Sequence, residues 1–505
     1  MKKETLLLVF FVLLKFVLHI FLISPEYDLQ RDEYLHLDQG KHLAWGYLSV
    51  PPFTSWNSFL ILLLGKSEFW IKFFPVLYGA LTMVVVWQTI KELGGNLYAL
   101  VLGACAVTFS VLLRINLLYQ PNSLDVLSWT LLYFCDLKYI KTHKPKWLYL
   151  AAVAFGFGFL NKYNIIFLIA GLSSALLLSP HRKILLNRHL YIAICIGLLI
   201  ILPNLIWQYQ NHFPVIHHMK LLAETQLVNV SRIGFLKEQV IFFFSALFVI
   251  LAAFISFFIY PPFKKYQVFF WSFAFSLSLF IFMKAKGYYA IGLYPILIPF
   301  GVVYLESLLR SKFHWLRFVS VGAIPFLFLP IYRIGFPTQS PSVIASHAQK
   351  YRNLGLLRWE DGKDHALPQD FADMLGWKEL AQKVDAAYAK IEDKKHTLVL
   401  CDNYGQAGAI NYYSEFKNIQ AVTMNADYIN WFPLDEEIRN IILVQSADDD
   451  DKERKKEQPL FHEIRLTGKV ENRYARESGT SIYVLLDAKV SINKILKEDI
   501  EKNKW

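Results

Sequence analysis

Residues 1–52 read MKKETLLLVFFVLLKFVLHIFLISPEYDLQRDEYLHLDQGKHLAWGYLSVPP and establish the architecture of the whole chain. An apolar run of about 20 residues can cross the ~30 Å hydrocarbon core of a membrane as a helix. The run follows a basic start, as in a signal peptide, but it is long for the apolar part of one, and no small-residue cleavage site precedes Pro25. We therefore interpret it as a retained first transmembrane helix.

The rest of the composition agrees with a membrane protein. Only 18% of the 505 residues are charged and 55% are hydrophobic, whereas soluble domains have roughly 25% charged residues. The pattern predicts a mainly α polytopic protein with about 11 transmembrane helices. The predicted spans are residues 5–24, 68–90, 96–113, 124–140, 147–160, 164–180, 190–208, 238–259, 267–284, 288–308 and 316–334.

The distribution of Lys and Arg predicts the topology. Basic residues cluster in alternate loops, at 138–146, 181–188, 261–265 and 310–317, and loops of this kind face the cytoplasm. The N-terminus is then inside and the C-terminus outside. This pattern also accounts for the net charge of +11, so we exclude a nucleic-acid-binding protein.

The composition becomes polar after residue 334. Residues 1–334 are the predicted membrane core, with a first outer loop at 25–67, and residues 335–505 are a predicted extracytoplasmic α/β domain. Helical periodicity marks 371–390, and strand patterns mark 396–402, 439–445 and 480–488.

Asp32 and Glu33 stand at the membrane surface, directly after the first span. One carboxylate could act as a general base that accepts a proton from an attacking hydroxyl or amine. The other could position the acceptor or bind a divalent cation through oxygen. No metal-ligand spacing occurs, and a divalent cation is the one cofactor that stays open. His36 falls on the same predicted helix face. The alternative is that the two acids cap a loop helix, where they would suit the helix dipole.

Several cations on the predicted outer side oppose the topology trend. These are Lys72, Lys162, Arg232 and Lys286, the last beside Tyr289. A lipid-linked phosphate held by charge-assisted hydrogen bonds would explain them as a set. Snorkelling to lipid headgroups is the alternative for each residue alone.

Two further segments carry polar side chains with weaker signals. The loop at 202–232 contains His217 among aromatic residues typical of a membrane interface. The segment LVLCDNYGQAGAINYY (398–413) predicts a strand, a glycine turn and a helix, but it lacks the pattern of a phosphate-binding loop.

The motifs together resemble one family. Asp32-Glu33, Gly46-Tyr47 and Pro51-Pro52 are similar to the D-E-x-x-Y…G-Y-x-x-H-P-P pattern of bacterial family 39 membrane glycosyltransferases, which are related to protein mannosyltransferases and lipid A aminoarabinose transferases. Further resemblance lies in QPNSLD (120–125), NKYN (161–164), KGYY (286–289) and DNYGQAG (402–408). Val50 replaces the histidine that many members have before the two prolines.

The resemblance implies a GT-C fold and transfer of a sugar from a polyprenyl-phosphate donor to a lipid, glycan or protein acceptor. It implies an inverting displacement with Asp32 as base and Glu33 as its partner. Donor phosphate would contact Lys162, Arg232, Lys286, Tyr289 and Lys72. The acceptor and loop residues would be His36, Tyr47 and His217. The expected location is the bacterial inner membrane, with the site outside.

Two other functions remain open at this point. A lipid-linked substrate transporter or flippase would need charges at the midplane of broken helices, and Lys15 and His19 lie within the first span. A non-catalytic scaffold would use the membrane core only to present residues 335–505.

Overall fold

A computed structural model of the protein describes residues 3–310 and 313–504. The first two thirds are helical and the last third contains one mixed sheet. The helices of the membrane core are α1 (Lys3–Ile20), α2 (Arg31–Gln39), α3 (Phe53–Leu63), α4 (Glu68–Glu92), α5 (Leu97–Thr108), α6 (Val111–Ile115), α7 (Asn122–Thr142), α8 (Lys146–Asn161), α9 (Ile165–Leu178), α10 (Arg188–Gln210), α11 (Pro214–Thr225), α12 (Arg232–Phe242), α13 (Leu247–Ile259), α14 (Gln267–Phe282), α15 (Leu297–Leu308) and α16 (Leu316–Gly335).

The C-terminal third holds shorter elements. Its helices are α17 (Pro341–Ser346), α18 (Ala348–Asn353), α19 (Gln369–Ala372), α20 (Trp377–Ala389), α21 (Tyr404–Tyr413) and α22 (Ile492–Asn503). Its strands are β1 (Thr397–Cys401), β2 (Ala421–Thr423), β3 (Asn440–Gln445), β4 (Phe461–Lys469) and β5 (Ser481–Ala488). Short 3₁₀ helices cover Pro180–Leu186, Leu227–Asn229, Phe244–Ala246, Pro261–Tyr266, Gly287–Leu293 and Ala426–Asn430.

Each predicted apolar segment coincides with a helix or with a bent pair of helices. By length and composition, 4 helices among the described residues can cross a membrane, or up to 7 if each bent pair is one span. The shorter apolar helices, such as α5, fall below that length. Two of the three breaks lie at a proline, Pro180 or Pro295, which cannot continue the hydrogen-bond ladder of a helix, whereas the third lies at Phe243. The basic loop at 310–317 lies partly outside the described residues.

The membrane core is packed around α7 and α9. Trp129 and Tyr133 of α7 and Leu168 of α9 are fully buried in its apolar interior. By contrast, α10 exposes Leu198 and Leu199 on its outer face, which suits a helix that faces lipid rather than water.

The C-terminal sheet has the strand order β2-β1-β3-β5-β4. β1 pairs in parallel with β2 and β3, whereas β5 is antiparallel to both β3 and β4. The three predicted strands are confirmed as β1, β3 and β5. The pattern did not reveal β2, which has three residues, or β4, whose FHEIRLTGK sequence is mostly exposed at the sheet edge.

The first loop and the C-terminal domain lie on the same side of the core, because α2 packs directly on α21. A Cβ at Gly405 would lie 2.5 Å from Cγ of Arg31, and one at Gly408 would lie 2.6 Å from Cβ of Tyr34. Only glycine therefore allows the two helices to approach this closely. The glycines of the 398–413 segment serve helix packing.

Candidate active site at the junction of the first loop and the C-terminal domain

Glu33 is held in a fully buried position at the start of α2. Its carboxylate accepts hydrogen bonds from the backbone N–H of Gln30 at 2.7 Å and of Tyr119 at 2.6 Å, and it pairs with Lys72 Nζ at 2.6 Å. The contact with Gln30 completes a capping box, in which the Gln30 side chain in turn accepts from the Asp32 N–H at 2.8 Å. Glu33 therefore anchors the loop, and both of its carboxylate oxygens already accept hydrogen bonds from the protein.

Asp32 points the other way and keeps about a third of its side chain exposed. Oδ1 accepts a hydrogen bond from the Tyr404 hydroxyl at 2.7 Å, and Oδ2 accepts one from Gln120 Nε2 at 3.0 Å. Burial opposes ionisation, but the Arg31 guanidinium, the Tyr404 hydroxyl and the more distant Lys286 hold the pKa of Asp32 below its ordinary value. Asp32 is thus a carboxylate at neutral pH.

Two side-chain amides connect Asp32 to Lys162. The Gln120 amide that donates to Asp32 accepts, through Oε1, a hydrogen bond from Asn122 Nδ2 at 2.9 Å. Asn122 Oδ1 accepts in turn from Lys162 Nζ at 2.7 Å. The turn that carries both amides is held by Glu33, through Tyr119. This chain of hydrogen bonds sets the relative orientation of Asp32 and Lys162.

Lys162 lies in the turn after α8 against the aromatic pair of the Gly287–Leu293 segment. Its ammonium is 5.1 Å from the ring centre of Tyr288 and 4.6 Å from that of Tyr289, a cation–π geometry. Burial lowers the pKa of Lys162 to about 8, with Asp125 opposing this effect and Lys286 adding to it. The Lys162 ammonium is thus held directly by the neutral side chains of Asn122, Tyr288 and Tyr289.

Lys286 extends from the same segment toward the C-terminal domain. Its ammonium donates to Gln226 Oε1 at 2.7 Å and forms an ion pair with Glu360. Glu360 is also held by Gln369 Nε2 at 3.0 Å. Burial opposes ionisation of Glu360, but Lys286, Gln369 and Arg31 keep its pKa low.

The structure brings together Asp32, Lys162, Lys286 and Tyr289 from the predicted site.

The other predicted site residues make contacts elsewhere in the protein. Lys72 pairs with Glu33. Arg232 donates to the Ile281 and Phe282 carbonyls at the end of α14. His36 is buried and bonded to Gln39 at 3.0 Å. Tyr47 donates to backbone carbonyls inside the first loop. His217 is exposed on α11.

Four residues of the site were not predicted as such. Gln120 and Asn122 belong to the QPNSLD motif, and Tyr404 belongs to DNYGQAG, so both motifs carried a signal that was not assigned to side chains. Glu360 had no sequence signal, since it lies in a polar loop with nothing to mark its partner.

The arrangement combines a proton acceptor with an anion-binding group. An ionised, partly exposed carboxylate can accept a proton. Lys162 and Lys286 are positive groups that can hold a developing oxyanion. Among residues 3–310 and 313–504, no group of three or more His, Cys, Asp or Glu side chains is placed to hold a metal ion.

The chain is similar to known membrane glycosyltransferases. Residues 49–207 match the family described as dolichyl-phosphate-mannose-protein mannosyltransferase. A lipid A galacturonosyltransferase, RgtD of Rhizobium johnstonii, is 27% identical over 235 residues, which are 46% of this chain and 48% of that protein. The chain thus aligns with about half the length of this curated relative.

Two crystal structures of ArnT from Cupriavidus metallidurans share the fold. The one bound to undecaprenyl phosphate has a TM-score of 0.63 at 14% identity and covers 97% of this chain and 98% of its own. The apo structure has a TM-score of 0.62 at 14% identity, covering 95% and 98%. The resemblance to membrane glycosyltransferases predicted from the motifs is confirmed by these matches, and the chain shares the fold of ArnT.

Proposed function

We propose that this protein is a glycosyltransferase that moves a sugar from a polyprenyl-phosphate donor to a lipid, glycan or protein acceptor. The reaction takes place on the extracytoplasmic face of the bacterial inner membrane. The ArnT structure with undecaprenyl phosphate supports the donor class. Because the chain is similar to a lipid A galacturonosyltransferase, a lipid is the first acceptor to test.

In the proposed reaction the acceptor oxygen or nitrogen attacks the anomeric carbon, and the bond from that carbon to the phosphate oxygen breaks. Asp32 takes the proton that the acceptor loses. The polyprenyl phosphate leaves as an anion and is stabilised by Lys162 and Lys286, so that no strong general acid is needed. A single displacement inverts the anomeric configuration.

The observation that carries the proposal is the position of Asp32. Its carboxylate is partly exposed, and its pKa is lowered by a set of charges that includes Lys286. The amide chain through Gln120 and Asn122 leads from it to Lys162. A donor phosphate on the two lysines would therefore bring the anomeric carbon near the base.

The test uses the full chain in membranes and a panel of undecaprenyl-phosphate sugars, with mass spectrometry of envelope lipids to identify the product. Asp32→Asn is expected to abolish transfer while the protein still inserts and folds. Asp38→Asn is the matched control, because Asp38 lies on the same helix and is held by Tyr428 and Asn411 at 2.7 and 2.8 Å. Normal transfer by Asp32→Asn, or movement of the lipid without covalent transfer, contradicts the proposal.

A further inference from the structure

The C-terminal domain reaches the proposed base through one side chain. Tyr404 is the first residue of α21, and its hydroxyl donates to Asp32 Oδ1 at 2.7 Å across the junction with the first loop. The same ring lies over the Arg31 guanidinium, with 5.0 Å from the carbon to the ring centre. Tyr404 therefore contacts both Arg31 and Asp32 at the start of α2, although it is far from them in sequence.

The position of Tyr404 is fixed from two sides. Asn403 caps α21 and its side chain accepts from the backbone N–H groups of Gly405 and Gln406. Gly405 and Gly408 then let α21 lie directly on α2, with no room for a Cβ. The Tyr404 hydroxyl is held at Asp32 by this packing.

The groups that act on Asp32 come from several elements. Arg31 and His36 are on α2, Lys286 comes from the membrane core, and Tyr404 comes from the C-terminal domain. Gln120 restrains Oδ2 but carries no charge. Tyr404 donates the hydrogen bond to Oδ1 from the domain at 2.7 Å, whereas Arg31 Nε lies farther from that oxygen, at 3.6 Å.

We propose that Tyr404 is a positioning residue for Asp32, so that the domain 335–505 forms part of the active site rather than an appendage to it. This rests on the proposed role of Asp32 as base. The hydrogen bond holds one carboxylate oxygen in place and leaves the exposed side of Asp32 to the acceptor. Because the hydroxyl donates to the ionised form, the contact also favours the carboxylate.

The chain offers a matched control. Tyr428 comes from the same domain, and its hydroxyl donates at 2.7 Å to Asp38 Oδ2, which is on the same helix as Asp32. Tyr428→Phe therefore removes the same kind of domain-to-loop hydrogen bond, away from Asp32. A merely structural role for Tyr404 predicts that the two variants behave alike.

The experiment is a pH series of carbodiimide and glycine ethyl ester labelling on the full-length protein, with the Asp32 peptide quantified by mass spectrometry. Tyr404→Phe is expected to extend labelling of Asp32 to higher pH, since the protonated acid persists there, while Tyr428→Phe follows the wild type. In the transfer assay, kcat of Tyr404→Phe is expected to fall roughly tenfold, in line with the loss of a hydrogen bond to a charged group. The acid limb of its pH–rate profile is expected to move to higher pH.

Coincident labelling curves for the two variants overturn the proposal. If Tyr404→Phe fails to fold, 3-fluorotyrosine at position 404 replaces it: this more acidic donor is expected to move Asp32 labelling to lower pH, and an unchanged curve again overturns the proposal. Failure of the proposed function is recognised separately, because Asp32→Asn would then retain transfer whatever Tyr404 does.

Discussion

Glu33 Oε1 lies 2.6 Å from Lys72 Nζ, inside the protein, while the carboxylate of the preceding residue turns outward. Adjacent positions on a helix point about 100° apart, so two neighbouring acids cannot share one environment. Glu33 closes the capping box and anchors the loop, and Asp32 is the carboxylate to which we assign the proposed role of base. The capping interpretation of the acidic pair therefore applies to Glu33, and the interpretation as a base stays a proposal for Asp32.

The Lys72–Glu33 pair makes a prediction about stability. Lys72→Met leaves a fully buried carboxylate without its cation, which typically costs about 3–5 kcal/mol. Lys72 is a quarter exposed, so solvent screening reduces the expected loss to about 2–3 kcal/mol. Thermal unfolding in detergent measures it, with Lys455→Met, in the exposed pair with Glu453, as control. Equal melting temperatures for the two variants would argue against the anchor.

The pKa of Asp32 predicts the acid side of the rate profile. A base works as its carboxylate, and the pKa of Asp32 lies below its ordinary value because the charges and hydrogen bonds around it outweigh burial. The carboxylate is therefore present at neutral pH and is lost only as pH falls through that lowered pKa. We expect kcat/KM to stay constant down to a more acidic pH than an ordinary aspartate, near 3.9, would allow. A decline that begins near neutral pH would assign the base to another group.

The lowered pKa of Lys162 predicts that donor binding weakens at alkaline pH. Burial lowers its pKa to about 8, and an amine is charged only below its pKa. The affinity for undecaprenyl phosphate is therefore expected to weaken as pH rises through about 8. Lys162→Met should weaken binding roughly tenfold at pH 7, as for the loss of one charge-assisted hydrogen bond, and Lys162→Arg should remove the pH dependence.

Equilibrium binding of undecaprenyl phosphate in nanodiscs, followed from pH 6.5 to 9.5, checks this. Lys264→Met is the control, since Lys264 lies in the Pro261–Tyr266 segment, away from the site. Parallel pH curves for wild type and Lys162→Arg would show that another group titrates.

Glu360 competes with a phosphate for Lys286. Its ion pair neutralises the ammonium that the proposed donor needs, so binding must displace the carboxylate or share the lysine with it. Glu360→Gln is expected to tighten binding of undecaprenyl phosphate severalfold. Glu379→Gln, which breaks the pair with Lys383 in the same domain, is expected to leave binding unchanged. Weaker binding by Glu360→Gln would mean that Glu360 positions Lys286 for the phosphate instead.

The helical segments, the three strands found as β1, β3 and β5 and the family resemblance could be predicted from the sequence. Apolar runs and alternating strands are local patterns, so their physics is readable without a fold. The sequence also singled out Asp32 as a candidate, because an acidic pair beside a first membrane helix is unusual. The ion-pair partners of the lysines could not be predicted, since nothing in the sequence distinguishes Lys72, which pairs with Glu33, from Lys286, which pairs with Glu360.

Tertiary structure alone decided which carboxylate is buried, which lysine is paired and which domain reaches the site. Glu33 and Lys72 are 39 residues apart, and Tyr404 and Asp32 are 372 apart. A hydrogen bond or ion pair depends on a few tenths of an ångström, which is set by the packing of α2 on α21 and by the two glycines that permit it. No local sequence pattern determines such a distance. The sequence could therefore suggest candidate residues, but only the fold shows which of them are in contact.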